Sequence, residues 1–419
     1  MALIEGTDAD DRLDGTEGAD QIVGGDGDDT LRGRGGNDLL EAATGVGGFD
    51  DGDDRLEGGT GDDTLVSGGG SDTLIGGAGT DRLVTTEDWF GDEALDIDLA
   101  RAAQGGGALT ASGFEALVSF GTDFGDALAG GGLSDTLDGG FGDDTLRGRG
   151  GNDRIEAFDG DDLIEGGAGA DRITVFVEDD TVRGGDGADT LDGGWDGSGG
   201  VIGAGAGDDR VAVLAASVDG GAGTDVLVLT DGEVGGGVID LSALSGGAEA
   251  DVAGARVRGF EALEVRLGDG RGADDRVTGT SGADVIRTAS GEDTLIGGAG
   301  DDLLTTRTSA GDRIDGGAGR DTLGIDWSPA RTGGTAFTAE GLLNGADVRS
   351  IEAYDLGDQA GYQAAFALTG SALADRAGGG EADDTLEGFG GADTLFGLGG
   401  DDLLVGGAGD DVLYGDGLG

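Results

Sequence analysis

Residues 139–174 read GGFGDDTLR GRGGNDRIE AFDGDDLIE GGAGADRIT, four lines of nine in which three positions keep their chemistry. The sixth residue is always Asp (Asp144, Asp153, Asp162, Asp171) and the eighth is Leu or Ile (Leu146, Ile155, Ile164, Ile173). The fourth is always Gly. A Gly-rich first half allows the left-handed backbone of a tight turn. Positions 7 to 9 run polar, apolar, polar, which predicts a short strand with one inward side chain. A single inward residue per line buries nothing alone. Stacked strands align the position-8 residues into an apolar ladder, so strand, turn, strand, turn predicts an all-β solenoid with a coil of 18 residues.

The period extends outward from this stretch. It yields 29 units in four blocks, 6–84, 121–228, 270–324 and 370–414, with short insertions near 42–48, 193–203, 213–219 and at Thr306. Position 6 is Asp in all 29, position 8 is Leu, Ile or Val in 28 with Ala377 the exception, and position 4 is Gly in 21. Residues 28–38 recur letter for letter at 143–153, which points to duplication of whole blocks. The expected organisation is repeat block 1–84, insertion 85–120, block 121–228, insertion 229–269, block 270–324, insertion 325–369 and block 370–419.

The 419-residue chain has 100 Gly, one Pro, no Cys and no His, and its basic residues are all Arg. Without Cys or His there is no disulfide, thiolate nucleophile, zinc site of the usual kind or imidazole base. A net charge of -63 repels nucleic-acid phosphates and anionic lipid surfaces. No apolar run reaches the ~18 residues of a membrane span. The first residues, Met-Ala-Leu-Ile-Glu-Gly, lack the basic and apolar regions of a secretory signal peptide. The charge does suit a hard cation that takes oxygen ligands.

Composition of this kind also marks disordered chains. A disordered chain has no reason to hold three phases in register, so the repeat overrides that reading once the right ion is present.

The repeat resembles the RTX (hemolysin-type) calcium-binding nonapeptide, G-G-x-G-x-D-x-U-x. The resemblance covers some 260 residues. It implies a right-handed parallel β-roll with calcium between turns of adjacent coils, held by the position-6 carboxylate and by carbonyls of the Gly-rich turn. It also implies export from a Gram-negative bacterium by type I secretion to the outside or the cell surface, with folding on extracellular calcium. The family usually carries a non-repetitive C-terminal signal, whereas here the repeats run to Tyr414; either the chain is a fragment or the signal lies within unusual repeats.

Physical chemistry supports the same ion. Stacked strands lie about 4.8 Å apart, so aspartates 18 residues apart face each other across that gap and repel. A divalent ion between them reverses the sign, and calcium accepts six to eight oxygens in flexible geometry. Fifteen Asp pairs have this spacing. Eight have Gly at position 4 of both turns: Asp20–Asp38, Asp54–Asp72, Asp63–Asp81, Asp144–Asp162, Asp153–Asp171, Asp171–Asp189, Asp284–Asp302 and Asp393–Asp411. The others add Asp11, Asp29, Asp126, Asp135, Asp180, Asp275, Asp293, Asp375, Asp384 and Asp402, with position 4 replaced on one side by residues such as Ala9, Phe124, Leu133, Glu178, Ala273, Leu373 or Ala382. Most of those replacements open a block, where an apolar residue is expected to pack in place of a ligand loop. The count predicts about 8 to 15 calcium ions, and eight would bring the charge to about -47. Metal and folding should be coupled.

The three insertions share a plan. Leu95–Leu99 and Val238–Leu241 alternate like strands, and Gly113-Phe-Glu-Ala-Leu117, Gly259-Phe-Glu-Ala-Leu263 and Ser350-Ile-Glu-Ala-Tyr354 repeat one motif. They also carry aromatics, including Trp89, Phe90, Trp327 and Tyr362. The expected role is to continue the roll and cover sheet ends, and Glu115, Glu261 and Glu352 then serve architecture rather than catalysis. No G-x-S-x-G elbow, P-loop or complete EF-hand series occurs.

The chain is therefore expected not to be an enzyme but a secreted calcium-binding protein of structural, matrix, surface-layer or adhesive role. Its expected partners are calcium and, beyond it, a matrix or cell-surface component or end-to-end copies of itself. The alternatives are the calcium-folded secretion module of a larger toxin or hydrolase and, more remotely, a polysaccharide lyase or epimerase.

Overall fold

The computed structural model describes residues 1–43, 52–68, 70–85, 96–100, 109–176, 179–193, 199–212, 215, 217–230, 238–244, 248–252, 255–267, 274–289, 291–306, 312–325, 335–338, 341–343, 346–349, 353–355 and 366–416. Glu178, Ala273, Glu352 and the aromatics Trp89, Phe90, Trp327 and Tyr362 lie outside these residues. Among these residues every regular element is a β-strand of three to seven residues. The chain divides into two compact units, Met1–Gly223 and Thr224–Gly419.

In the first unit the strands pair in parallel, one coil to the next. Thr145–Gly150 lies beside Leu163–Ala168, with Leu146 opposite Ile164, and that strand lies beside Thr181–Asp186, with Ile164 opposite Val182. Thr136–Gly140, Arg154–Ala157 and Arg172–Val175 stack the same way in a second sheet, with Leu137, Ile155 and Ile173 in one row. The offset is 18 residues wherever no insertion falls. Position-7 N–H groups donate back to the preceding coil, as where Thr145 donates to the carbonyl of Asp126 at 2.7 Å.

The core consists of the position-8 side chains. Ile22, Leu31, Leu40, Leu56, Leu65, Leu74 and Leu83 are all fully buried. Position 8 points inward because successive strand residues face opposite sides. At roughly 25 cal/mol per Å² of apolar surface, such a ladder is the main stabilising term, and it exists only between stacked coils. Ala377, the one small residue at this position, is also fully buried and sits opposite Leu395.

Insertions are absorbed outside the ladder. The one near 42–48 stretches the offset to 25, yet Leu31 still meets Leu56. Thr306 makes it 19, and Leu295 still meets Ile314. The larger insertions contribute rungs: Asp96–Asp98 pairs in parallel with Ala127–Ala129, and Val238–Asp240 with Arg276–Thr278. Ala116–Thr122 lies between Arg82–Val84 and the strand Thr136–Gly140, pairing with both. In the second unit Ala262–Arg266 bridges Val226–Thr230 and Val285–Arg287 in the same way. Among the described residues two pairings are antiparallel, Ala250–Val252 with Ala255–Arg258 and Gly341–Leu343 with Ala346–Arg349.

Candidate metal centre

Position 6 closes each Gly-rich turn just before its strand starts, so stacking brings these aspartates into rows. All fifteen pairs with the 18-residue spacing are in direct contact. The backbone N–H of the earlier Asp donates to Oδ1 of the later one at 2.7–3.0 Å. One row runs Asp126, Asp144, Asp162, Asp180, and its neighbour runs Asp135, Asp153, Asp171, Asp189. Apart from Asp11, Asp402 and Asp411, the aspartates of these pairs are nearly inaccessible to solvent.

The rows include members that a strict 18-residue spacing misses. Asp189 donates to Asp209, Asp293 to Asp312 and Asp302 to Asp321, each across a short insertion. Likewise Asp29 and Asp38 donate to Asp54 and Asp63 over 25 residues. Their position-6 phase was visible; the spacing rule excluded them.

The insertions also continue the rows. Asp81 donates to Glu115 Oε2 at 2.8 Å, and Leu117 donates to Asp135 Oδ1. In the second unit Asp225 donates to Glu261 Oε2 and Leu263 to Asp284 Oδ1. The recurring Phe-Glu-Ala-Leu motif thus inserts a glutamate where a coil would supply an aspartate, and buried Phe114 and Phe260 fix its place.

Position 5 forms a second ladder that the sequence reading overlooked. Asp28 donates its N–H to Asp10 Oδ1, Asp62 to Asn37 Oδ1, Asp161 to Asp143 Oδ1 and Asp401 to Asp383 Oδ1, all exposed. This row runs opposite to the buried one, and the prevalence of Asp, Asn and Ser at position 5 was its only signal.

The other carboxylate oxygen of the buried row behaves differently. Oδ2 of Asp38, Asp63, Asp81, Asp144, Asp153, Asp171, Asp189, Asp302 and Asp393 is buried and has no hydrogen-bond partner among the described residues. Each points into its own Gly turn. A Cβ built on Gly148 would stand 2.1 Å from Asp153 Oδ2 and 2.6 Å from the carbonyl oxygen of Gly166 one coil on. At Gly169, φ is +131° and a Cβ would meet the Gly151 carbonyl of the preceding coil. Gly is therefore required because oxygens crowd the gap. At position 4 of turns that open their blocks, Phe124, Leu133 and Leu373 are 42, 42 and 36% exposed. The expectation that these apolar residues pack inward is not met.

A buried carboxylate without a partner is costly when charged. Burial, ahead of other causes, raises Asp63, Asp135 and Asp284 to about 6, Asp153, Asp162, Asp189 and Asp302 to about 7, and Asp144 to about 8. At Asp144 repulsion from Asp162 and Asp126 adds to burial, against the hydrogen bond from the Asp126 N–H.

These turns match known repeats over residues 5–40, 50–83, 120–155, 138–173, 178–197, 269–304, 308–323, 369–404 and 396–417, more than half of the chain, and the repeat matched is the RTX calcium-binding nonapeptide. The chain belongs to the RTX calcium-binding nonapeptide repeat family. No curated protein matches it.

RTX repeats bind calcium, and the donors present fit that ion. They are all oxygens, the unpartnered Oδ2 atoms beside the turn carbonyls. Among the described residues no three acidic side chains gather at one point, so a six- to eight-oxygen shell has to draw on backbone carbonyls. When bound, calcium supplies the positive charge that the buried row lacks.

Not every RTX turn here is open in this sense. Thr7 N–H and Oγ1 donate to Asp11 Oδ2, and Thr16 N–H and Oγ1 to Asp20 Oδ2 at 2.6 and 2.9 Å. Thr122, Gly131, Thr280 and Ser371 likewise give their N–H groups to Oδ2 of Asp126, Asp135, Asp284 and Asp375 at 2.7 Å. Ser67 Oγ contacts Asp72 Oδ2. The Thr16 N–H, the first cause, holds the Asp20 carboxyl below its usual value, whereas Asp284 is buried more deeply and still rises.

Proposed function

We propose that the protein is an extracellular structural element that folds when calcium fills the gaps between its coils. It is a calcium-binding β-roll protein of the RTX family. The observation that carries the finer reading is the row of buried carboxylate oxygens without hydrogen-bond partners. At the pH where these carboxyls are ionised such a row calls for a cation to join it, and an ion that joins many coils makes the roll conditional on calcium. Calcium is scarce in the cytosol and abundant outside cells, so export followed by folding suits this arrangement.

The scaffold reading rests on the sameness of the turns. Catalytic acids need contrasting environments, whereas these carboxylates repeat one environment coil after coil. Glu115 and Glu261, the acids of the insertions, are engaged with the backbone of Asp81 and Asp225. Among the described residues no helix is long and apolar enough to cross a membrane. The ions are drawn from among the buried position-6 aspartates that the eighteen-residue spacing selects, together with Asp209, Asp312 and Asp321.

Far-UV circular dichroism with parallel light scattering tests this. Expanded chain in EDTA that converts to compact β structure in millimolar calcium is the expected result. A compact β spectrum in EDTA that calcium leaves unchanged would overturn it.

A further inference from the structure

Position 2 separates the nine open turns from six of the seven closed ones described above; the seventh, at Asp72, is closed from position 1 by Ser67 Oγ, and Asp293, whose buried Oδ2 has no hydrogen-bond partner among the described residues, follows Ala289, which has no positive φ. In the nine open turns, where Oδ2 has no partner, position 2 has left-handed backbone: Arg34 (φ 75°), Arg149 (φ 76°) and Phe389 (φ 74°) do so even without being Gly, and Gly59, Gly167 and Gly298 are typical of the rest. A non-Gly residue in that region is strained, so this conformation is imposed by the turn. In those six closed turns position 2 is Thr, Ser or, once, Gly131, none with positive φ, and its N–H caps Oδ2.

We infer that position 2 decides which turns take calcium, and that the turns closed at Asp20, Asp126, Asp284 and Asp375 take none. This rests on the calcium reading and deepens it. At Asp20 and Asp284 the carboxylate already has two acceptor bonds to its own loop in addition to an Oδ1 bond from the preceding coil, and at Asp126 and Asp375 the N–H and hydroxyl of the loop hold it in the same way. Binding calcium there would have to break them, while in an open turn it breaks nothing. Thr also disfavours the left-handed conformation, since a β-branched side chain there is a steric outlier. Closed turns open the blocks: 6–23 starts the first, 121–138 the second, 279–287 stands near the start of the third and 370–378 starts the fourth. The chain before these coils supplies no Gly-rich repeat turn with which to share an ion, so hydrogen bonds complete them.

The inference narrows the expected sites. Asp20–Asp38 and Asp284–Asp302 have Gly at position 4 on both turns, yet Thr16 and Thr280 close one side of each. It also supplies a gain-of-site test, because Thr280→Gly changes GTSGAD to GGSGAD and Thr16→Gly changes GTEGAD to GGEGAD, both full repeats.

Calcium binding to the whole protein and its variants would be counted by calorimetry, with circular dichroism confirming the fold. T280G and T16G are each expected to bind one more ion than the unsubstituted protein, and T280S the same number. Equal counts in T280G, T16G and the unsubstituted protein would overturn the inference while leaving the calcium reading intact. No calcium bound by any of them would overturn both. A crystal of the unsubstituted protein grown with terbium provides a second route that needs no variant. Anomalous density between the Asp144 and Asp162 turns and none between Asp20 and Asp38 supports the inference; density at Asp20 overturns it.

Discussion

Glu115 Oε2 accepts the hydrogen bond that the Asp81 backbone N–H would otherwise give to an aspartate one coil on, at 2.8 Å. The N–H groups of Glu115 and Ala116 return the contact by donating to the Asp81 carbonyl at 3.0 and 3.2 Å. The row of carboxylates is thus carried into the insertion by an exposed glutamate, and the next rung, to Asp135 Oδ1, is given by the Leu117 backbone N–H.

Removing that acceptor leaves the N–H of Asp81, a residue only 1% exposed, without a partner. Glu115→Ala should therefore destabilise the calcium-loaded protein by about 1–3 kcal/mol. Glu115→Gln keeps an acceptor oxygen and should lose much less. Thermal unfolding in saturating calcium distinguishes them, and equal effects would argue against the hydrogen bond as the cause.

A Cβ at position 1 should be equally informative. Gly148→Ala places a methyl group 2.1 Å from Asp153 Oδ2, and overpacking of this kind costs about 1–3 kcal/mol. Gly132→Ala meets nothing within 4 Å and should fall within about 0.5 kcal/mol of the unsubstituted protein. Calcium midpoints followed by circular dichroism would rank the two variants, and equal midpoints would remove the crowding argument.

Acid should partly replace calcium. Burial raises Asp144 to about 8 and Asp153, Asp162, Asp189 and Asp302 to about 7 in the folded coil, against 3.8 for the free carboxyl. The folded, metal-free state therefore binds more protons than the unfolded chain between those limits. Its stability is fully present below the unfolded value and is lost as pH rises through 7 to 8. In EDTA, lowering pH from about 8 toward about 5 should increase β content, while the apparent calcium affinity falls as protons compete. Greater β content at the higher pH would contradict this.

Much of the structure was legible from the sequence because the solenoid repeats one interaction many times. Position 8 disclosed the core, down to the exception at Ala377, since an inward strand residue must be apolar in every coil. Position 6 disclosed the buried row. Its breaks at Asp209, Asp312 and Asp321 were obscured because loops can lengthen without moving a rung, so spacing fails where register survives. The position-5 ladder was hidden by its mixed chemistry: Asp10, Asn37 and Ser134 all present an acceptor to the following coil. The difference between Thr16 and Arg34 at position 2 lies in backbone conformation, and Arg34 adopts a φ that its side chain disfavours. Only coordinates expose that.

Calorimetric titration of the metal-free protein with calcium, followed in parallel by circular dichroism, tests the central claim most directly. The account predicts binding of several ions per chain, with β structure appearing over the same range of calcium concentration as the binding heat. Absence of binding heat, or binding that leaves the backbone spectrum where it was in EDTA, would contradict it.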